Sequence, residues 1–164
     1  DPERLVVFHS LSKRSNLPGL RSGFAASGPK NIKEMKQLRN YSGAPNPTPL
    51  QAVAAAAWSD EDHVVENRKL YQKKYQIADD IFKNIKGYNA PQAGFFLWLP
   101  VENDEQATLN LWKQSGIRVL PGSYLSRNVD NKNPGEKYIR VAMVAPFSET
   151  KLGLQTIKDN LYTL

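Results

Sequence analysis

Short apolar runs alternate with charged amphipathic stretches along this chain, and each change of pattern predicts an element. Residues 5–8, "LVVF", are apolar and β-branched, which predicts a short buried strand. Residues 10–21 read as a loop punctuated by Pro18-Gly19, and residues 22–27 as a second short strand. Gly28-Pro29 breaks that strand, and Pro29 suits the first turn of a helix over residues 29–39. Residues 40–51, "NYSGAPNPTPLQ", form a proline-punctuated loop. In it Thr48 caps the next helix, with Pro49 at the first position and Gln51 three residues after the cap. "LQAVAAAAW" is strongly helical. After a break at Ser59-Asp60, a long amphipathic helix is predicted over residues 61–85, with Val65, Leu70, Ile77, Ile81 and Ile85 as apolar positions.

The texture changes after Gly87. Residues 94–100, "GFFLWLP", predict a strand, and residues 104–116 a helix that ends at Gly116. A strand over 117–122 follows, then a loop with Asn133-Pro134-Gly135 turn chemistry, then a strand over 138–146. The last helix covers 148–164, with Ser148 as its cap. Trp58, Trp98 and Trp112 are expected in the core. The second half is thus an α+β module, and the long helix joins it to a strand-loop-strand piece. That layout is expected of part of a larger two-part enzyme.

Composition narrows the classes. The 164 residues carry 22 basic and 16 acidic side chains, a net charge of +6. The excess is spread along helix faces (Lys30, Lys33, Lys36, Arg39, then Arg68, Lys69, Lys73, Lys74) rather than gathered into a dense patch with aromatics. No nucleic-acid partner is predicted from it. There is no cysteine, which excludes disulfides, thiolate metal sites and cysteine nucleophiles and says nothing of compartment. The two histidines, His9 and His63, are far apart and lack a carboxylate pattern, so no metal site is predicted. His63 is expected to be solvated on its helix, and His9 to be packed beside the lysine stretch described next. No run of 18 apolar residues spans a membrane, and "DPERLVVFHS" is not a signal peptide. A strand that begins almost at residue 1, without an initiator Met, leads to the expectation that an upstream part is missing.

Candidate chemistry concentrates in "FHSLSKRSNLPGLRSGF", residues 8–24. A lysine amine becomes a nucleophile when desolvation or a neighbouring cation lowers its pKa, and Arg14 follows Lys13 directly. Such lysines form Schiff bases with carbonyls, including the aldehyde of pyridoxal phosphate. Arg21 offers a planar fork for phosphate, Ser10 and Ser12 offer hydroxyls, and Gly19 and Gly23 allow close backbone approach. A bare "SxxK" also matches a solvated basic turn, or a serine nucleophile paired with Lys13; no further motif of that serine class is present.

Taken whole, "SLSKRSNLPGLRSGF" resembles the lysine motif of the class I/II pyridoxal-phosphate aminotransferases, the fold-type I group. The family pattern is a serine, a second serine two residues on, lysine, a variable stretch, proline-glycine, and arginine and glycine at alternate positions after it; each is present here. The resemblance continues through "SGAPNPTPLQAVAAAAW", "GFFLWLP", "GIRVLPGSYL" and "YIRVAMV". It implies an α/β fold made of the end of a large-domain sheet (residues 1–60), a connecting helix (61–86) and a small α+β domain (87–164). It implies that Lys13 is the Schiff-base lysine and proton shuttle. Ser10 and Arg21 would be phosphate ligands, with Ser12 in the same shell. Arg140 would grip the substrate α-carboxylate, and Tyr124 would lie near the substrate. An arginine between Ile139 and Val141 on an apolar strand wants an anion in any case, since burying it unpaired is costly.

The wording "VLPGSYLSR" and "NPGEKYIRVAMVAP" most resembles the succinyldiaminopimelate aminotransferase branch. That implies amino-group exchange between N-succinyl-LL-2,6-diaminopimelate and 2-oxoglutarate/glutamate, in a cytoplasmic homodimer whose "NYSGAPNPTP" loop approaches the neighbour's cofactor. An aspartate-type or aromatic aminotransferase, or a non-catalytic module, are the alternatives. The family's ring-nitrogen aspartate and ring-stacking aromatic would lie upstream, so the isolated chain is expected to be inactive.

Overall fold

The β-branched and aromatic run near the start forms strand β1, Val7–Ser10, and the chain returns beside it as β2, Gly23–Ala26. A computed structural model describes residues 1–43 and 45–162. Ala44 of the predicted proline-rich loop, and Thr163 and Leu164 of the predicted last helix, lie outside the described residues. The chain packs as two compact units, Asp1–Asn67 and Arg68–Leu164.

In the first unit β1 and β2 form an antiparallel ribbon, from Val7 opposite Ala26 to Ser10 opposite Gly23. A Cβ at Gly23 would lie 2.5 Å from the His9 carbonyl oxygen, so this pairing requires glycine there. The strand starts two residues later than the apolar run predicts, and it is not buried: Phe8 is 73% exposed and Leu5, Val6 and Val7 are also exposed. Its hydrogen-bonded neighbour is β2, and what packs on the ribbon is Trp58, edge-on to the His9 and Phe24 rings. The stretch 10–21, expected as loop, holds a one-turn helix α1, Leu11–Arg14, and a 3-10 turn, Pro18–Leu20. The Ser10 hydroxyl caps α1, and fully buried Leu11 anchors it.

Helix α2, Pro29–Ser42, begins at the predicted proline and runs three residues past Arg39. Its first amides are taken by a distant carboxylate. Lys30 N donates to Glu3 Oε1 at 3.0 Å and Asn31 N to Glu3 Oε2 at 3.2 Å, where negative charge also suits the helix dipole. Helix α3, Thr48–Ser59, is capped by Pro47 and not by Thr48. Proline's fixed φ fits the cap geometry, and the Gln51 side chain reaches back to the Asn46 carbonyl at 2.7 Å. Helix α4, Asp62–Phe82, carries the chain onward.

The second unit is built on a three-stranded antiparallel sheet in the order β3 (Phe96–Pro100), β5 (Tyr138–Ala142), β4 (Leu120–Pro121). Helix α5, Asp104–Ser115, starts at the Asn103 side chain, which accepts from Gln106 N at 2.8 Å, and stops at left-handed Gly116. Helix α6 is Phe147–Leu161. Period-two alternation places Leu97, Leu99, Ile139 and Val141 on one sheet face. They form a core with Ala78 and Phe82 of α4, Leu111 of α5, and Leu154 and Ile157 of α6. Fully burying each such side chain contributes about 1.5–3 kcal/mol.

Several boundaries differ from the pattern. β5 ends at Ala142 rather than 146; Met143 N still donates to Phe95 O at 2.8 Å, and beyond the strand Lys74 Nζ donates to the carbonyls of Met143 and Ala145 at 2.8 and 2.7 Å. β4 is two residues long, since the chain turns at once into a 3-10 turn, Gly122–Leu125. Pro146 and not Ser148 caps α6. Its first turn is closed by Thr150, whose N–H donates to Pro146 O and whose hydroxyl donates to Ala145 O. Trp98 and Trp112, expected in the core, are exposed on outer faces. Trp98 stacks on Tyr138, and Trp112 receives the Arg118 guanidinium over its ring. Trp58 is half-buried.

The loop after β4 is pinned where Gly122 and Gly135 meet backbone to backbone; a Cβ on either would collide with the carbonyl oxygen of the other. Gly153, within α6, faces open space. Gly135→Ala is therefore expected to destabilise the protein by about 2–3 kcal/mol, the upper end for overpacking because backbone must move. Gly153→Ala is expected to stabilise it by about 0.5–1 kcal/mol. Urea unfolding checks both, and a Gly135→Ala midpoint equal to that of the native chain would contradict the close approach.

Candidate active site

Ser10 stands where β1 gives way to α1, with extended φ and ψ of −145° and 145°. Its Oγ accepts from Ser12 N at 3.1 Å and donates to Ser12 Oγ at 3.0 Å, with Ser22 O at 3.4 Å as a second acceptor. Lys13 is the third residue of the turn so capped, and its side chain is exposed. Two backbone bonds then fold the stretch back on itself: Leu17 N donates to Leu11 O, and Leu11 N to Ser22 O, both at 3.2 Å. Ser10 consequently pairs with Gly23, and Arg21 comes in two residues from that partner.

Arg21 holds a left-handed backbone (φ 53°, ψ 35°), uncommon for a residue with a side chain. One of its guanidinium nitrogens, Nη1, donates to Pro18 O at 2.9 Å; the remaining donors have no partner among the described residues. Ser10 and Ser12 touch through their hydroxyls, Lys13 follows on the same turn, and the strand pairing brings the Arg21 backbone back near Ser10, so the four residues singled out in this stretch lie in one region of the first unit. The set offers two hydroxyls, an amine and a planar cationic fork, which is the donor chemistry for a phosphate ester beside an aldehyde.

Arg14, noted in the sequence only as a neighbouring cation, has a defined place. Its side chain is 9% exposed. It donates to the carbonyls of Ala57 (2.9 Å), Trp58 (3.4 Å) and Asp60 (3.5 Å) and to Ser15 Oγ (3.2 Å). It pairs with the Glu61 carboxylate and lies 5.0 Å from the Trp58 ring centroid. His9 accepts from Ser10 N at its Nδ1 and stacks on Phe24. His63 is not solvated as expected: its side chain is about one-third exposed, its Nδ1 lies 2.8 Å from Asp60 Oδ2, and its Nε2 is buried with no hydrogen-bond partner among the described residues. That bond to His63, with the Asp62 amide, holds the Asp60 carboxyl below its ordinary range.

Arg140 and Tyr124 lie in the second unit. Arg140 sits on the central strand β5, opposite Trp98 of β3 and Leu120 of β4, on the face away from the core. Its guanidinium lies 4.3 Å from the Phe96 ring centroid, and no carboxylate pairs with it among the described residues. Tyr124 projects from the 3-10 turn and is 71% exposed. That turn is tied down at Ser123, whose N–H donates to Asp104 Oδ2 at 2.8 Å. The partners of Arg14 at the end of α3, the Lys74 carbonyl ties and the rings that pack on His9 could not be read from the sequence, because they are 15 to 71 residues away.

The mixed α/β architecture matches part of a fold-type I transferase. The chain belongs to the aminotransferase class I and II family, whose model matches residues 1–153. Enzymes of this family depend on pyridoxal phosphate. The chain is 32% identical over 143 residues to the 4-dedimethylamino-4-oxo-anhydrotetracycline transaminase of Streptomyces rimosus, covering 86% of this chain and 38% of that one. It is 30% identical over 160 residues to the LL-diaminopimelate aminotransferase of Dehalococcoides mccartyi, covering 94% and 39%. A crystal structure of an aminotransferase from Neisseria meningitidis superposes with a TM-score of 0.91 at 40% identity, covering 96% of this chain and 40% of that one. The chain thus spans about two-fifths of the length of these relatives.

The Asp104 tie generates a pH prediction. Burial pushes its carboxyl up, but bonds from Ser123 and from the first-turn amides of α5 outweigh this and hold it below its ordinary 3.8. A carboxyl lowered by folding contributes stability that is complete above the ordinary value and is lost as pH falls through the lowered one. Asp104→Asn should therefore be less stable than the native chain at pH 7. Its stability should also fall less steeply below about pH 4. Urea midpoints between pH 2 and 7 test this; parallel curves for the two proteins would rule it out.

Proposed function

We propose that this chain contributes the cofactor lysine, part of the phosphate site and a substrate-carboxylate arginine to a pyridoxal-phosphate-dependent amino-group transfer. The observation that supports the reading is the β1–α1–β2 register, which returns the chain beside Ser10 two residues after Arg21, on the same turn that carries Ser12 and Lys13. Pyridoxal phosphate, when bound, supplies an aldehyde for amine condensation and an electron-withdrawing ring. The hydroxyls of Ser10 and Ser12 and the fork of Arg21 hold its phosphate. Lys13 Nζ would hold the aldehyde end of the cofactor and, once the substrate amine has displaced it, would be free to take and return a proton at the substrate α-carbon. Arg140 binds the α-carboxylate, with Phe96 behind the guanidinium plane and Tyr124 at the rim of the substrate region.

Residues 1–60 are assigned to the large cofactor-binding domain, 61–86 to the connecting helix and 87–164 to the small domain. The proposed amino donor is an acylated diamino acid, N-succinyl-LL-2,6-diaminopimelate, with 2-oxoglutarate as acceptor. The motif resemblance and a relative named for LL-diaminopimelate support it. A cytoplasmic homodimer is proposed on the resemblance alone. A protein spanning the relatives' full length should turn over this donor in preference to aspartate or tyrosine; preference for either of those would place it in another branch.

The site itself is tested on this chain with pyridoxal phosphate, borohydride reduction and peptide mapping. The reduced adduct is expected on Lys13 and is expected to vanish in Lys13→Ala. Arg21→Ala should weaken pyridoxal phosphate binding by about tenfold or more, the equivalent of one charge-assisted bond of about 1.5–3 kcal/mol. Label spread evenly over the surface lysines would sink the assignment.

A further inference from the structure

We propose that Arg14 is the positioning residue for Lys13: by gripping the carboxyl-terminal end of α3 it fixes how the Lys13 amine is presented. The inference rests on the reading of Lys13 as the cofactor lysine. Helix α1 is four residues long, too short to persist without outside support. Its first residues are held by the Ser10 cap and by the burial of Leu11. Its last residue is Arg14, and Lys13 lies between these two holds. The carbonyls that Arg14 takes include those of Ala57 and Trp58, in the last turn of α3, where the helix leaves acceptors over and its dipole favours a cation. Glu61 supplies a full counter-charge, and the Trp58 ring backs the guanidinium.

This arrangement argues for geometry over charge. The positive charge of Arg14 is answered by Glu61 and by the helix end, while its planar fork spans acceptors on Ala57, Trp58 and Asp60 at once. A lysine has the charge and not the fork, so it could meet few of these acceptors. Helix α1 is thereby fixed, at the residue after Lys13, to the end of α3 and the two residues that follow it, 43 to 47 residues further along the sequence.

The test uses the 164-residue chain with pyridoxal phosphate as the probe, trapping the imine at Lys13 with borohydride across a pH series. In Arg14→Met the trapping rate at Lys13 is expected to fall at least tenfold, with the midpoint of the rate-against-pH curve unmoved. Arg14→Lys should recover only part of it. Amide hydrogen exchange at Ser15, whose N–H closes α1 on Leu11 O, should quicken at least tenfold in Arg14→Met. Native-rate trapping in a folded Arg14→Met chain overturns the proposal. So does a midpoint that moves, which would mean that Arg14 acts through its charge. Should Arg14→Met not fold, Arg14→Lys decides: full native trapping and exchange there overturn the proposal, and partial trapping with an unmoved midpoint supports it. Absence of any Lys13 adduct in the native chain is a different failure, that of the lysine assignment on which the proposal stands.

Discussion

A helix of one turn has no stability of its own, and the first unit is organised around that constraint. The Ser10 hydroxyl caps it, Leu11 roots it, and the bond from Leu11 N to Ser22 O ties its start to the returning strand. Remove these and Lys13 becomes an ordinary surface lysine on a loop. The cap also bears on chemistry. A hydroxyl can accept and donate at once, so Ser10 Oγ can keep accepting from Ser12 N while its single proton turns from Ser12 Oγ or Ser22 O towards an anion. Holding the turn and holding a ligand are therefore compatible duties for one oxygen.

The second unit separates its duties by face. On β5, Ile139 and Val141 enter the core while Tyr138, Arg140 and Ala142 point the other way. The outward positions can then be altered without disturbing the core side chains of the same five-residue strand. Lys74 contributes just past the strand's end. Its partial burial lowers the ammonium's pKa, yet it still satisfies two backbone carbonyls that the sheet does not use. Tyr162 and Tyr88 seal the same core from the helix ends through hydroxyl bonds to Pro100 O and Asp79 Oδ1. Burial pushes both phenols well above the ordinary range, so they stay donors at any working pH.

Local signals were legible from the chain. Pro29 opens α2 and Gly116 ends α5 as their backbone preferences require, and the alternation in "FLWLP" and "YIRVA" picks out the buried positions of β3 and β5. The lysine motif was legible because its serines, lysine and arginine are few residues apart. What was not legible depends on distant partners. Ser148 looked like a cap, but Pro146 lies two residues before it and already has the extended geometry. The "LVVF" run looked buried, but burial needs a second layer, which an apolar run by itself does not supply. Trp98 and Trp112 looked like core by residue type, yet strand alternation and helix phase put them outside. Arg14 looked like a charge beside a lysine, and only the place of α3 shows it to be a brace.

Arg21 couples two incompatible demands at one position. Its left-handed backbone is what glycine adopts freely and costs an ordinary residue about 1 kcal/mol. Its side chain is one that glycine cannot supply. Selection for stability alone would drift this position toward glycine, and the chain would become more robust as it lost the guanidinium. An arginine here therefore carries a backbone cost that glycine would not, in exchange for a guanidinium that glycine cannot offer.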